Sequence, residues 1–213
     1  MPDFHNLALR YEQFKSALAC ASEERLAKAD EAIKFIKAHA DIVHTYNEIL
    51  ADHSIPHRVV HHDTKISNVL FDKDARGICV IDLDTVMPGY YFSDTGDMMR
   101  TYLSPANEEE TDLSKVVIRQ DFFKAIYEGY FEEMGKALTD PEKNLFIYSG
   151  EFIIYMQAIR FLSDYLNNDV YYRAEYAGQN LNRALNQIAL LKNYMQLKTA
   201  FRLIIEDSGP EQN

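Results

Sequence analysis

Residues 57–97, HRVVHHDTKISNVLFDKDARGICVIDLDTVMPGYYFSDTGD, decide how the chain is read. Arg58-Val59-Val60 is a short β-rich run leading to His61, and Asp63 and Asn68 follow in the order H-x-D-x-x-x-x-N. Val69-Leu70-Phe71 and Ile78-Cys79-Val80-Ile81 are two further β-rich runs. Between them, Asp72 to Gly77 supply the Asp and Gly residues that suit a hairpin turn. A hairpin there returns the chain to where it started, so Asp82, at the end of the second run, comes to lie near Asn68. The stretch thus predicts an acid and an amide on one short loop, with a second acid brought up beside them by a strand.

Those groups in that arrangement have a specific chemistry. Phosphoryl transfer needs an Asp to accept or orient the proton of the acceptor hydroxyl. It also needs an Asn to hold one Mg²⁺ and an Asp on a neighbouring strand to hold the other. The spacing is that of a kinase catalytic loop followed by its metal-binding aspartate. On this reading Asp63 is the catalytic base, His61 orders the loop through hydrogen bonds, and Asn68 and Asp82 are metal ligands. Asp84 alternates with Asp82 across Leu83, so on an extended backbone both carboxylates point to one side. Asp84 is then a second or water-mediated ligand of a hard cation. His53, His57, His61 and His62 also suggest zinc, but Pro56 interrupts the helix that an i, i+4 pair requires, and no H-E-x-x-H is present. Gly129, Gly135 and Lys136 imitate a phosphate-binding loop with one residue too many and Ala137 in place of Ser or Thr.

Three runs carry a family likeness: HHDTKISNVLFD (61–72), CVIDLDTVMPG (79–89) and DTGDMMR (94–100). They resemble the aminoglycoside phosphotransferase/choline kinase superfamily and, within it, bacterial N-acetylhexosamine 1-kinases. The likeness extends from Phe4-His5 to about Leu191, and it departs from the superfamily's H-G-D at His62. It implies an α+β, mainly helical fold, the C-terminal lobe of a protein-kinase-like protein with short β-hairpins around the active site. It implies ATP as co-substrate, Mg²⁺, and transfer to the anomeric hydroxyl of a small sugar such as an N-acetylhexosamine. By the same resemblance Lys65 of the D-T-K run binds the nucleotide. Arg160 and Tyr171, in the run AIRFLSDYLNNDVY (158–171), reach the sugar. Asp97, with Asp94 and Arg100 in D-x-G-D-x-x-R, braces the catalytic loop, and Asp94 alternatively caps the helix that follows. Two other readings stay open: a kinase for a cationic acceptor of the choline or aminoglycoside type, and a kinase-like lobe that binds without catalysing.

The rest of the chain bears on how complete such a kinase would be. Only 56 residues precede His57; they read as helices, and no G-x-G-x-x-G occurs anywhere in the sequence. Ala32-Ile33-Lys34 falls in a helical pattern rather than on a strand. The expectation is one lobe: a helical segment at 1–56, the catalytic loop and metal-binding hairpin at 57–97, a helical substrate-binding subdomain at 98–205 and a frayed tail at 206–213. The N-terminal nucleotide lobe would come from a longer product or a separately encoded chain. Ser22 marks a helix start and Pro56 stops a helix beginning near Asp41. Asp140-Pro141 opens another helix, taken to run on through Phe146 and Leu162, and a last helix is predicted from about Gly178 to Ile205.

With 213 residues and 47% apolar content the chain can bury a sizeable core. A net charge of −11 argues against a nucleic-acid partner and favours, weakly, a cationic one. Cys20 and Cys79 form neither a disulfide framework nor a metal motif. The start Met-Pro-Asp-Phe-His has no apolar signal core and no apolar run reaches membrane length, so a cytoplasmic location and no membrane partner are expected.

Overall fold

A computed structural model describes residues 3–208. The fold is mainly helical, with two small antiparallel sheets. Its first quarter is α1 (Leu7–Cys20), α2 (Glu23–Lys28), α3 (Asp30–Ala38) and α4 (Asp41–Ala51). The Ser22 hydroxyl accepts from the Arg25 amide and starts α2, as the sequence indicates. A break at Ala29, where the backbone leaves helical geometry, separates α2 from α3. The middle holds β1 (Arg58–Val60), β2 (Val69–Phe71), β3 (Gly77–Val80) and β4 (Met87–Gly89), and then α5 (Phe92–Tyr102). The remainder is α6 (Gln120–Met134), α7 (Asp140–Lys143), α8 (Phe146–Leu166), α9 (Gln179–Gln196) and α10 (Lys198–Ser208).

The core is built around α8. Its sequence, FIYSGEFIIYMQAIRFLSDYL, is apolar on every face rather than along one stripe, the signature of a helix surrounded by others. Accordingly α1, α5 and α9 all pack on it. Close approach requires small residues at the crossings. A Cβ built on Gly96 of α5 would overlap the Ser149 carbonyl and the Ile153 side chain of α8. Aromatic rings fill the space left over: Phe92 meets Phe152 edge-on at 5.2 Å, and Phe123 of α6 stacks on Phe201 of α10 at 3.9 Å.

Two helices differ from the sequence reading. The segment from Asp140 is two helices, because α7 is a single turn closed by a capping box of Thr139 and Glu142 and ends before Asn144. The last helix breaks at Leu197, and α10 continues through residues 206–208 rather than fraying there. Its end is tied down: Lys124 donates to the Ser208 hydroxyl, which donates to Glu128. Residues 209–213 of the expected tail lie outside the described residues.

Two antiparallel pairs, β1 with β4 and β2 with β3, frame the segment 61–68. The hairpin read from the sequence is present, with Val69 opposite Val80 and Leu70 opposite Cys79. Because β3 runs back along β2, and the Ile81 amide donates to the Asn68 carbonyl at 2.9 Å, Asp82 emerges beside the loop. The outer pair is fixed to the helical body by Arg58, whose guanidinium forks onto both oxygens of buried Glu142 at 2.6 and 2.7 Å.

Replacing Gly96 by Ala is expected to push α5 off α8 and cost about 1–3 kcal/mol. Chemical denaturation of the variant measures this, and an unchanged midpoint would show that the crossing has slack.

Candidate active site

The loop between β1 and β2 is held by groups outside it. His62 sits at φ +66°, in the left-handed region, which explains why a related loop would favour Gly there. The turn this produces aims two successive amides at one carboxylate. Asp94, in the first turn of α5, accepts from His61 N at 2.9 Å and His62 N at 2.7 Å. Its carboxylate does not cap its own helix. Thr64 donates its hydroxyl to the Asp94 carbonyl at 2.8 Å, and Thr85 donates to the His61 carbonyl at 2.6 Å. Tyr102 donates to the Thr64 carbonyl. The His61 ring lies 3.0 Å from the Ile81 carbonyl through Nε2, linking the loop to the residue that precedes Asp82.

Within this frame the predicted acid and amide meet. Asn68 is buried, and its side-chain nitrogen donates to the Asp63 carbonyl and to Asp63 Oδ2, both at 2.9 Å. Lys65 Nζ donates to the same Oδ2 at 2.6 Å and stands 3.9 Å from Asp82 Oδ2. Asp63, Asn68, Asp82 and Lys65 therefore form one cluster. Asp84 does not follow the alternation argument. Asp82 is left-handed at φ 61°, and Leu83–Thr85 is a 3-10 turn, so the backbone is not extended and the i, i+2 rule does not apply. Asp84 is exposed in that turn and has no ion-pair or hydrogen-bond partner among the described residues.

Asp97 lies deeper. It is buried and pairs with Arg100 at 3.0 Å, which in turn reaches Glu108 at 3.2 Å. Burial raises its carboxyl above the usual range against the pull of Arg100, and burial likewise raises Asp94 against its two amide donors. The Thr64 amide approaches Asp97 and favours its charged form, yet Oδ2 has no hydrogen-bond partner of full geometry. The direct hydrogen bonds to the loop at His61 and His62 thus come from Asp94, while Asp97 secures Arg100.

His62 also carries a contact the sequence did not suggest. Its Nδ1 is 3.3 Å from Nδ1 of His5, and His5 stacks on Phe4 at 4.7 Å. Burial first, and then His61, lowers the His62 pKa to about 4, and burial and His62 hold His5 well below its ordinary value. Gly89 leaves room for the ring, since a Cβ there would collide with it. Nothing in the H-x-D spacing points to residue 5, which lies far away in the chain.

Arg160 and Tyr171 lie elsewhere. They line a cavity of about 580 Å³ between α1 and the end of α8, with Arg10, Ser163, Asp164 and Tyr172. Arg160 stands 5.4 Å from the Phe4 ring, and Phe4 meets His62 edge-on at 6.2 Å, so Phe4 adjoins both the cavity and the loop.

Asp63, the Asn68 amide bonded to it and Asp82 thus gather around the Lys65 ammonium at the end of the braced loop. Residues 2–120 match the profile of the APH phosphotransferase enzyme family, more than half of the chain, and the protein belongs to that family. No helix among the described residues is long and apolar enough to cross a membrane.

Two predictions follow from the bracing. Asp94→Ala strands two amides and is expected to cost about 2–4 kcal/mol; hydrogen exchange at His61 and His62 should accelerate far more than at α8. The second concerns pH. His62 has its pKa lowered on folding, so the unfolded chain binds the proton first. Its contribution is whole above the ordinary value of 6.5 and is lost as pH falls toward about 4. The raised carboxylates of Asp94 and Asp97 act in the opposite sense, so the readout is the difference between wild type and His62→Gly. The variant should lose less stability across that window, and parallel pH profiles would contradict the assignment.

Proposed function

We propose that the chain carries the catalytic lobe of an ATP-dependent phosphotransferase acting on a hydroxyl of a small sugar. The observation that carries this reading is the Asp63 carboxylate, hydrogen-bonded to Lys65 and Asn68, with Asp82 facing the same ammonium. The donor set suits a hard cation: Lys65 already brings a positive charge between the two carboxylates. Asn68 uses its nitrogen on Asp63, which leaves its oxygen for a ligand. Asn68 and Asp82 would hold Mg²⁺, with Asp84 close enough in sequence to act through water. Bound there, the ion would neutralise charge on the transferred phosphoryl group.

Asp63 takes the acceptor's proton as its oxygen bonds to the γ-phosphorus and the bond from that phosphorus to the departing diphosphate breaks. Lys65 can leave Asp63 for a phosphate oxygen, a short rotation for a half-exposed side chain. His61, Asp94, Thr85 and Tyr102 contribute by fixing the loop, and positioning supplies much of the rate in reactions of this type. The hairpin beside the cluster exposes Leu70, Phe71, Ile78 and Val80, an apolar surface suited to a nucleotide base or to a nucleotide-gripping lobe.

The sugar assignment, with N-acetylhexosamine 1-phosphorylation as its most specific form, rests on the resemblance of residues 158–171 and on the aromatic lining of the cavity that holds Arg160 and Tyr171. A cationic acceptor is disfavoured at that cavity, where two guanidiniums would repel it. A soluble cytoplasmic enzyme without nucleic-acid partners is the setting that suits the acidic composition.

Asp63→Asn should lower kcat for ATP-dependent transfer by roughly a thousandfold or more while leaving the melting temperature within a few degrees. A variant with near wild-type turnover would remove Asp63 from the chemistry. Measurable ATP binding with no transfer to any sugar or amine would favour the binding-only lobe.

A further inference from the structure

The cavity between α1 and α8 has a charge that a neutral sugar does not explain. Arg10 comes from α1 and Arg160 from α8, and neither meets a carboxylate within ion-pair distance among the described residues. In a chain of net charge −11, two unpaired guanidiniums in one cavity stand out. Arg10 donates to Gln13 at 2.9 Å and to the Asp3 carbonyl at 3.0 Å, and its buried Nε has no partner among the described residues. Among the described residues Arg160 donates only to Gln157, at 3.1 Å, and is otherwise flanked by the Phe4 and Tyr172 rings.

The carboxylates that do line the cavity are engaged. Asp164 accepts from the Tyr171 amide at 2.7 Å, the Tyr172 amide at 3.0 Å and Asn180 at 3.1 Å. Glu12, at the outer rim, pairs with Lys15. A third donor is idle: Ser163 is 8% exposed, lines the same cavity, and its hydroxyl has no hydrogen-bond partner among the described residues. A buried hydroxyl without a partner costs about 1–3 kcal/mol, and a ligand oxygen would recover it. The rim carries Tyr171, 69% exposed, as an aromatic platform. Burial and the neighbouring Arg160 both lower the Arg10 pKa, a strain that an anion between the two groups would relieve.

We propose that this cavity binds a small sugar through an oxyanion that the sugar itself carries, a phosphate or a carboxylate, held by Arg10, Arg160 and the Ser163 hydroxyl. Guanidiniums suit such groups because their planar fork matches two oxygens at once. A cavity of about 580 Å³ accommodates a hexose with one charged substituent. This deepens the acceptor reading above and rests on it only for the cavity's part in the reaction.

The test is isothermal titration calorimetry of the purified chain at low salt. The probes are inorganic phosphate, N-acetylglucosamine, N-acetylglucosamine 6-phosphate and glucuronate. At least one anionic sugar should bind roughly ten- to a hundredfold more tightly than the neutral one. The better of the 6-phosphate and the glucuronate identifies the oxyanion. Arg10→Met and Arg160→Met should each erase that preference, and raising the salt should weaken it in the wild type. Equal affinity for neutral and anionic sugars, or binding of neither, overturns the inference without needing any variant. Asp63→Asn must keep the anion preference. Anionic-sugar binding without ATP-dependent transfer would overturn the transfer reading alone, and transfer to a neutral sugar with no anion preference would overturn this inference alone.

Discussion

The site depends on one carboxylate outside the loop it serves. Asp94 takes the amides of His61 and His62, and this is possible only because His62 adopts a left-handed backbone that turns both N–H groups the same way. A half-buried acid with two charge-assisted hydrogen bonds can hold such a conformation against its strain. Everything downstream inherits that geometry. Asp63 follows the turn directly, Asn68 closes back on it, and β2 and β3 carry Asp82 into place. Since α5 is itself locked to α8 by the Gly96 crossing, the loop is referenced to the most buried helix in the molecule.

The hairpin and the loop were legible because their signals are local. Alternating β-rich runs, a polar turn with Gly, and an acid-amide spacing all sit within forty-one consecutive residues, 57–97. The departures have both local and tertiary causes. The pairing of Asp82 with Asp84 assumed an extended chain, and a left-handed residue followed by a 3-10 turn removes that premise. The break at Leu197 has no Gly or Pro to announce it; it is set by Phe201 turning to stack on Phe123, a tertiary contact that helical periodicity cannot encode. Asp94 and Asp97 were both visible as a spaced pair of acids, but the division of their tasks between loop amides and Arg100 is set by the packing of α5 against the loop. His5 was silent because its partner His62 lies on a distant loop, and Arg10 because the cavity it lines is completed by α8.

Charge is distributed against the average. The chain is strongly acidic, yet guanidiniums gather around the region where α1, α5, α8 and α9 meet. Arg100 and Arg183 are paired there through Glu108 and Asp97, whereas Arg10 and Arg160 are not. The paired set is structural, and its burial is tolerable because each charge has an opposite neighbour. The unpaired set opens onto a cavity, and that asymmetry is why acidity of the whole chain is a poor guide to what the cavity prefers. The Phe4-His5 segment adjoins both this cavity and the loop, touching Arg160 and His62.

The central claim is that Asn68 and Asp82 hold a cation beside the Asp63 carboxylate at the end of the braced loop. Paramagnetic broadening tests it most directly: Mn²⁺, a stand-in for Mg²⁺, is titrated into isotopically labelled protein and the amide signals are followed. The account predicts that signals of residues 61–68 and 81–85 broaden first and together, and that Asp82→Asn abolishes the effect. Broadening centred on another acidic surface, with the loop signals untouched, would contradict it.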